Sequence, residues 1–263
     1  MANGPALEPN CARIKAVRLF VSFALALALL GGVGFAVAAQ DGPPSRLIGV
    51  SQPLPRDGTY VADDRLTFVV DRRGDSVRLR FDGGDEVFYL SSEAAPMGGR
   101  VLKYDTGAVA LKVTGWGGVT LYTAADKNGL PAEFSDMSQN VDPPTIGEKD
   151  VKPFAAKLAQ ELSSREDFAL GFAADWDVVG KSDALRTLAC DAMRNATYAL
   201  ESVAKTAKRV RLFDRIHIVR VVQGAKAGVT VEKGILLITI APQMGPSARP
   251  SSLAIARAMQ AVL

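Results

Sequence analysis

Histidine and cysteine are almost missing from this chain. Its 263 residues include one histidine, His217, and two cysteines, Cys11 and Cys190. A tetrahedral zinc site needs several such ligands, and one of each cannot close it, so no metal or other cofactor is expected. A histidine-dependent nucleophile would have to use His217, yet no G-x-S-x-G turn accompanies it. Loss of Cys11 with an amino-terminal leader would leave Cys190 alone and exclude an internal disulfide. Charge of one sign is also scarce: the net is +3, and only +1 once residues 1–39 are set aside. That balance gives no ground for binding nucleic acid. With 48% hydrophobic and 22% charged residues, the chain has the composition of a globular protein.

The amino terminus reads as an export segment. Arg13, Lys15 and Arg18 precede a stretch, Leu19 to Ala39, that carries no charge. It ends in Ala36-Val37-Ala38-Ala39, whose small residues satisfy the A-x-A requirement of signal peptidase. Residues 1–39 are therefore expected to be a signal peptide. The alternative is an uncleaved anchor, because residues 19–39 are long enough to span a bilayer. Either way the basic flank stays cytoplasmic and the rest crosses. The protein is expected to be periplasmic or secreted, released or held to the inner membrane.

Residues 40–57 contain Pro43, Pro44, Pro53 and Pro55 and suit an extended tether. Over residues 58–126 apolar side chains alternate, as in Leu66, Phe68 and Val70 or Val109, Leu111 and Val113. Turn sequences such as Asp82-Gly83-Gly84 and Gly115-Trp116-Gly117-Gly118 separate the runs. The pattern predicts six or seven antiparallel strands, a meander packed as a small sandwich or open barrel. Residues 127–150 lack periodicity and read as a linker.

The period changes in residues 151–263. A short helix is expected around Phe154 to Leu162 with Asp150 as its cap, then a strand near Phe168 to Phe172. The strongest helical pattern runs from Ser182 to about Arg209, with Leu185, Leu188, Ala192, Ala196, Leu200 and Val203 on one face. Strands at 216–222 and 235–240 follow as a hairpin, the second uninterruptedly apolar and so central. A last helix covers 252–262. The fold class is thus α+β, an antiparallel β region followed by a smaller α/β region.

The two regions differ in charge: 12 basic and 17 acidic residues over 41–150, against 16 and 10 over 151–263. Residues 205–233 alone carry eight basic side chains and two acidic. The halves could attract one another, or the second could rest on an anionic surface such as phospholipid head groups.

Individual motifs carry little chemistry. Gly180-Lys181-Ser182 resembles the end of a phosphate-binding loop, but Asp175 stands where that loop needs glycine, so Ser182 reads as a helix cap. Ser202-Val203-Ala204-Lys205 spells S-x-x-K without the later motifs of penicillin-recognising enzymes. Asp175 and Asp177 would share a side of an extended segment, as an acid–base pair requires, and Asp82, Asp85 and Glu86 crowd one turn, although acidic residues are common in turns. Cys190 falls near Arg186 and Arg194 on the helical wheel, cations that would favour thiolate, so modest exposure is expected; the alternative is that the first region packs on that side and buries it.

Phe81 to Leu90, Lys103 to Gly107, Thr114 to Gly118 and Pro250 to Ala258 resemble strings of an uncharacterised family of exported proteobacterial proteins, domain of unknown function 4908. The resemblance implies no activity, cofactor or catalytic residue. The expectation is therefore a non-enzymatic envelope protein that binds an envelope partner or surface. The alternative is a hydrolase of envelope polymers that uses Asp175, Asp177 and His217. A purely structural spacer would carry no cleft at all.

Overall fold

The computed structural model describes residues 54–263, except 75, 138–140, 144, 167 and 207–208. Residues 1–39, expected to direct export, and most of the expected tether at 40–57 lie outside the described residues. Within them no helix is long and apolar enough to cross a membrane.

Eight strands form the first region. They are β1 (Gly58–Ala62), β2 (Leu66–Arg73), β3 (Ser76–Phe81), β4 (Phe88–Ala94), β5 (Arg100–Lys103), β6 (Val109–Val113), β7 (Val119–Leu121) and β8 (Leu130–Asp136). Each pairs antiparallel with the next, and β8 pairs with β1, so the sheet closes into a barrel. The closure departs from a sandwich. It depends on β8, which lies where the sequence pattern suggests linker: Leu130 and Ala132 face the core, but the outward positions Glu133, Ser135 and Asp136 hide the alternation. Phe68, Leu79, Leu102, Leu111 and Leu121 fill the interior completely, as expected for a barrel of this strand number. The barrel is a packed core with no open lumen.

The second region comprises α1 (Val151–Glu166), β9 (Gly171–Ala174), α2 (Trp176–Val179), α3 (Asp183–Ala204), α4 (Arg209–Arg215), β10 (Ile218–Gln223), β11 (Gly228–Glu232), β12 (Ile235–Ile240) and α5 (Ser252–Val262). Its sheet order is β11-β12-β10-β9. The apolar β12 is internal, as its composition predicts. The hairpin, however, is β11–β12, while β10 runs parallel to both β12 and β9. Strand β11 escapes a reading by pattern because Thr230, Glu232 and Gly228 leave only two apolar positions. Ser182 caps α3, its hydroxyl accepting from the Leu185 N–H at 3.2 Å. Helix α3 ends at Ala204, earlier than its apolar stripe implies.

The segment between the regions runs along the barrel wall. Val141 is buried against Val69, Val87 and Tyr89. Asp142 accepts from Arg73 at 2.7 Å and from Arg78 at 2.5 Å.

The strand registers define two barrel ends. One carries the β3–β4 and β5–β6 connections and packs on α3 and α5. The opposite end carries the start of β1, the β4–β5 and β6–β7 turns and the end of β8.

Candidate functional site

The junction of barrel and α/β region concentrates the buried polar groups. Pro250 precedes α5, and Ser251 is its N-cap, accepting from the Ala254 N–H at 3.2 Å. Such a helix start leaves backbone donors and a partial positive charge facing outward. Two barrel carboxylates meet it. Asp105, in the β5–β6 turn, accepts from the Ser251 N–H at 2.7 Å and from its hydroxyl at 2.6 Å. Glu86, in the β3–β4 loop, accepts from the Ser252 N–H at 2.7 Å and from its hydroxyl. Two successive serines are thus each gripped through backbone and side chain by a separate acid.

Arg249 extends the cluster inward. It is buried, donates to Asp191 on α3 at 2.7 Å and to the Val87 carbonyl at 3.0 Å, and lies over the Tyr89 ring. Asp191 also accepts from Arg194 at 2.9 Å. Asn195 donates to the Pro250 carbonyl at 3.0 Å. A charge buried this deeply is stable only when paired and hydrogen-bonded, and these are.

Burial works against the charge on Glu86. Its removal from water raises the carboxyl from its ordinary value of 4.5 to about 7, despite the opposing Ser252 hydrogen bonds and the Arg249 charge. Burial, reinforced by Glu86, also pushes the Tyr104 phenol above its ordinary range.

Above this cluster lies a cleft of about 440 Å³. Val87, Tyr89 and Tyr104 of the barrel form one wall, and Val229, Met244 and Ala254 form much of the other. Asp105 and Ser251 stand at its polar edge. Tyr104 is 93% buried, counted from an exposure of 7%, and packs edge-on against Phe88. Its hydroxyl has no hydrogen-bond partner among the described residues. Volume and apolar walls fit a small ligand or an inserted side chain.

Of the acids singled out by sequence Glu86 lies in this junction, whereas Asp175, Asp177 and His217 lie elsewhere. Asp175 caps α2, accepting from the Val178 N–H at 3.3 Å, so its segment is a helical turn and not extended. Asp175 and Asp177 are exposed. His217 is exposed at the start of β10, beside Phe168. Its carbonyl accepts from Gly171, whereas Asp175 follows the far end of β9. At about 3.3 Å per residue, that separates them by roughly 13 Å along the strand. The trio does not converge. Ser202 and Lys205 are exposed at the end of α3.

Cys190 requires a correction. It is buried in the α/β core, with 1% exposure, and desolvation pushes its thiol up to about 11 against the lowering effect of Arg194 and Arg186. The helical wheel placed it beside arginines correctly but could not show that α3 is covered on that side too. No group of three or more potential metal-ligating side chains occurs among the described residues.

The basic stretch is partly engaged internally. Arg209 pairs with Glu166. Arg211 and Arg215 donate to the carbonyls of Leu263 and Val262 at 3.0 and 2.7 Å. Helix α5 therefore has acids at its amino end and cations at its carboxyl end, the arrangement its dipole favours.

Neither a search of curated proteins nor one of solved structures found a match. A family model described as a domain of unknown function, DUF4908, does match, and it spans residues 46–259, taking in both regions and the junction between them. The chain belongs to that family.

Proposed function

We propose that this is a non-enzymatic binding module of the bacterial envelope, exported by residues 1–39, and that the junction cleft is where it holds its ligand or partner. The observation that carries the reading is how the polar groups beside the cleft are used. Ser251 donates to Asp105 and accepts from Ala254, Ser252 donates to Glu86, and Arg249 is shared between Asp191 and Val87. Ser252 is buried and does not line the cleft, and the Ser251 oxygen also caps α5, so the two serine–carboxylate pairs serve to anchor the helix. Tyr104 lines the cleft beside Val87, Val229 and Ala254, and its hydroxyl is uncommitted among the described residues, which suits recognition of a largely apolar group bearing one hydrogen-bond acceptor.

Native mass spectrometry of the full chain extracted from envelope fractions tests this. The wild type should carry a bound species that Ala254→Trp, which fills the cleft, excludes. Tyr104→Phe should weaken its retention while leaving the fold unchanged by circular dichroism. An equal adduct on the wild type and Ala254→Trp would remove the cleft from the account. Turnover of an envelope polymer by the purified chain would remove the non-enzymatic reading.

A further inference from the structure

The end of the barrel remote from the α/β region is apolar where a soluble protein would place charge. Among the described residues, four large apolar side chains are more than two-thirds exposed: Met97 at 79%, Trp116 at 78%, Met137 at 74% and Val210 at 71%. Three of them, Met97, Trp116 and Met137, stand on this one rim. Met97 lies in the β4–β5 turn, Trp116 in the β6–β7 turn, and Met137 directly after β8, which extends past Val119 toward the same end.

The first two turns are packed against each other. A Cβ on Gly115 would come within 2.5 Å of the Met97 carbonyl, and one on Gly99 within 2.7 Å of the Val113 carbonyl. Met97 itself is held at φ 58°, a left-handed conformation uncommon outside glycine. The two apolar tips therefore form one fixed protrusion. No ionisable residue occurs in 94–99 or in 113–119. Across the barrel mouth Arg72 pairs with Asp57 and Arg73 with Asp142, and the exposed Asp136 accepts from the Met137 N–H at 2.7 Å.

We propose that this rim seats in the interfacial layer of a lipid bilayer. The observations favour lipid over a protein partner on two counts. An uncharged tip of tryptophan and methionine, with Arg100 and Lys112 set back at the strand ends, matches the headgroup boundary, where an indole keeps an apolar body and a polar N–H in suitable surroundings. Strand β1 also begins on this same rim, and the chain that leads into it carries the uncharged stretch Leu19–Ala39. The proposal is independent of the junction cleft, which lies toward the opposite end.

The test uses the full chain in pure phosphatidylcholine vesicles. The protein has two tryptophans, Trp116 and Trp176, so Trp176→Phe leaves Trp116 as the sole reporter. Brominated lipid should quench most of its emission, the emission should shift to the blue, and aqueous iodide should lose access to it. High salt should change none of this. Adding Met97→Ser and Met137→Ser should restore iodide access. If Trp176→Phe perturbs the fold, wild type compared with Trp116→Phe isolates the same signal. Full iodide access on chain that floats with the vesicles would overturn the proposal, and so would failure to float. Shielding that appears only with envelope proteins would also overturn it, assigning the rim to a protein. Quenching that requires anionic lipid and vanishes in salt would move the contact to the basic surface.

Discussion

Glu86 makes the sharpest residue-scale prediction, because burial and hydrogen bonding act on it in opposite directions. Its folded value of about 7 lies above the ordinary 4.5. The folded chain therefore keeps a proton that the unfolded chain has released between those values, and its stability falls as pH rises from 4.5 to about 7. At 1.36 kcal/mol per unit, the loss is on the order of 3 kcal/mol. Chemical denaturation across this window should show that slope in the wild type, and the wild-type-minus-Glu86→Gln difference should recover it. A slope unchanged in Glu86→Gln would assign it to other groups. Ser252→Ala should cost about 1–3 kcal/mol at neutral pH, since it leaves a buried carboxylate short of a donor. The thiol of Cys190 should resist labelling in the folded chain and react only on unfolding, a direct readout of its burial.

At the scale of elements, α5 is the piece to which both regions attach. Its amino end meets Asp105 and Glu86, and its carboxyl end meets Arg211 and Arg215. Arg257 on its outer side donates to the Thr106 carbonyl at 2.8 Å. Replacing Arg249 by alanine strips Asp191 of one cation and the Val87 carbonyl of a donor, and should cost about 3–5 kcal/mol in denaturant titrations. Gly115→Ala should destabilise by about 1–3 kcal/mol through its collision with the Met97 carbonyl, loosening the rim without touching the junction. The periodic elements were legible in the sequence for physical reasons. The unbroken apolar run of β12 marks an internal strand, the buried face of α5 follows its apolar residues, and the Ser182 cap announces α3. Strands β8 and β11 were not legible, because each buries few side chains and is fixed by its neighbours' hydrogen bonds. Glu86 was visible only as one of three acids crowding a turn, and Asp105 and Arg249 were hidden altogether, for a different reason. Each stands in a turn or loop where polar residues are ordinary, and the bonds that define them span 58 to 166 residues of sequence. Their only local signal is Arg249-Pro250-Ser251-Ser252 before an apolar helix, which reads as a cap and gives no partner.

At the scale of the molecule, the opposed charges of the halves find a partial explanation. The barrel's acids meet serines and a helix terminus, and two cations of the second region, Arg211 and Arg215, close the other end of that helix, so attraction acts through α5. The central claim is that the two carboxylate–serine grips join barrel and α/β region into one cooperative unit with the cleft between them. Native-state hydrogen exchange tests it most directly. Amides of Leu79 and Leu111 in the barrel core and of Ala196 and Ile238 in the α/β core should exchange with one common opening free energy. In Glu86→Gln combined with Asp105→Asn, the two sets should separate. Separate opening energies in the wild type, or a common one that survives the double substitution unchanged, would contradict the account.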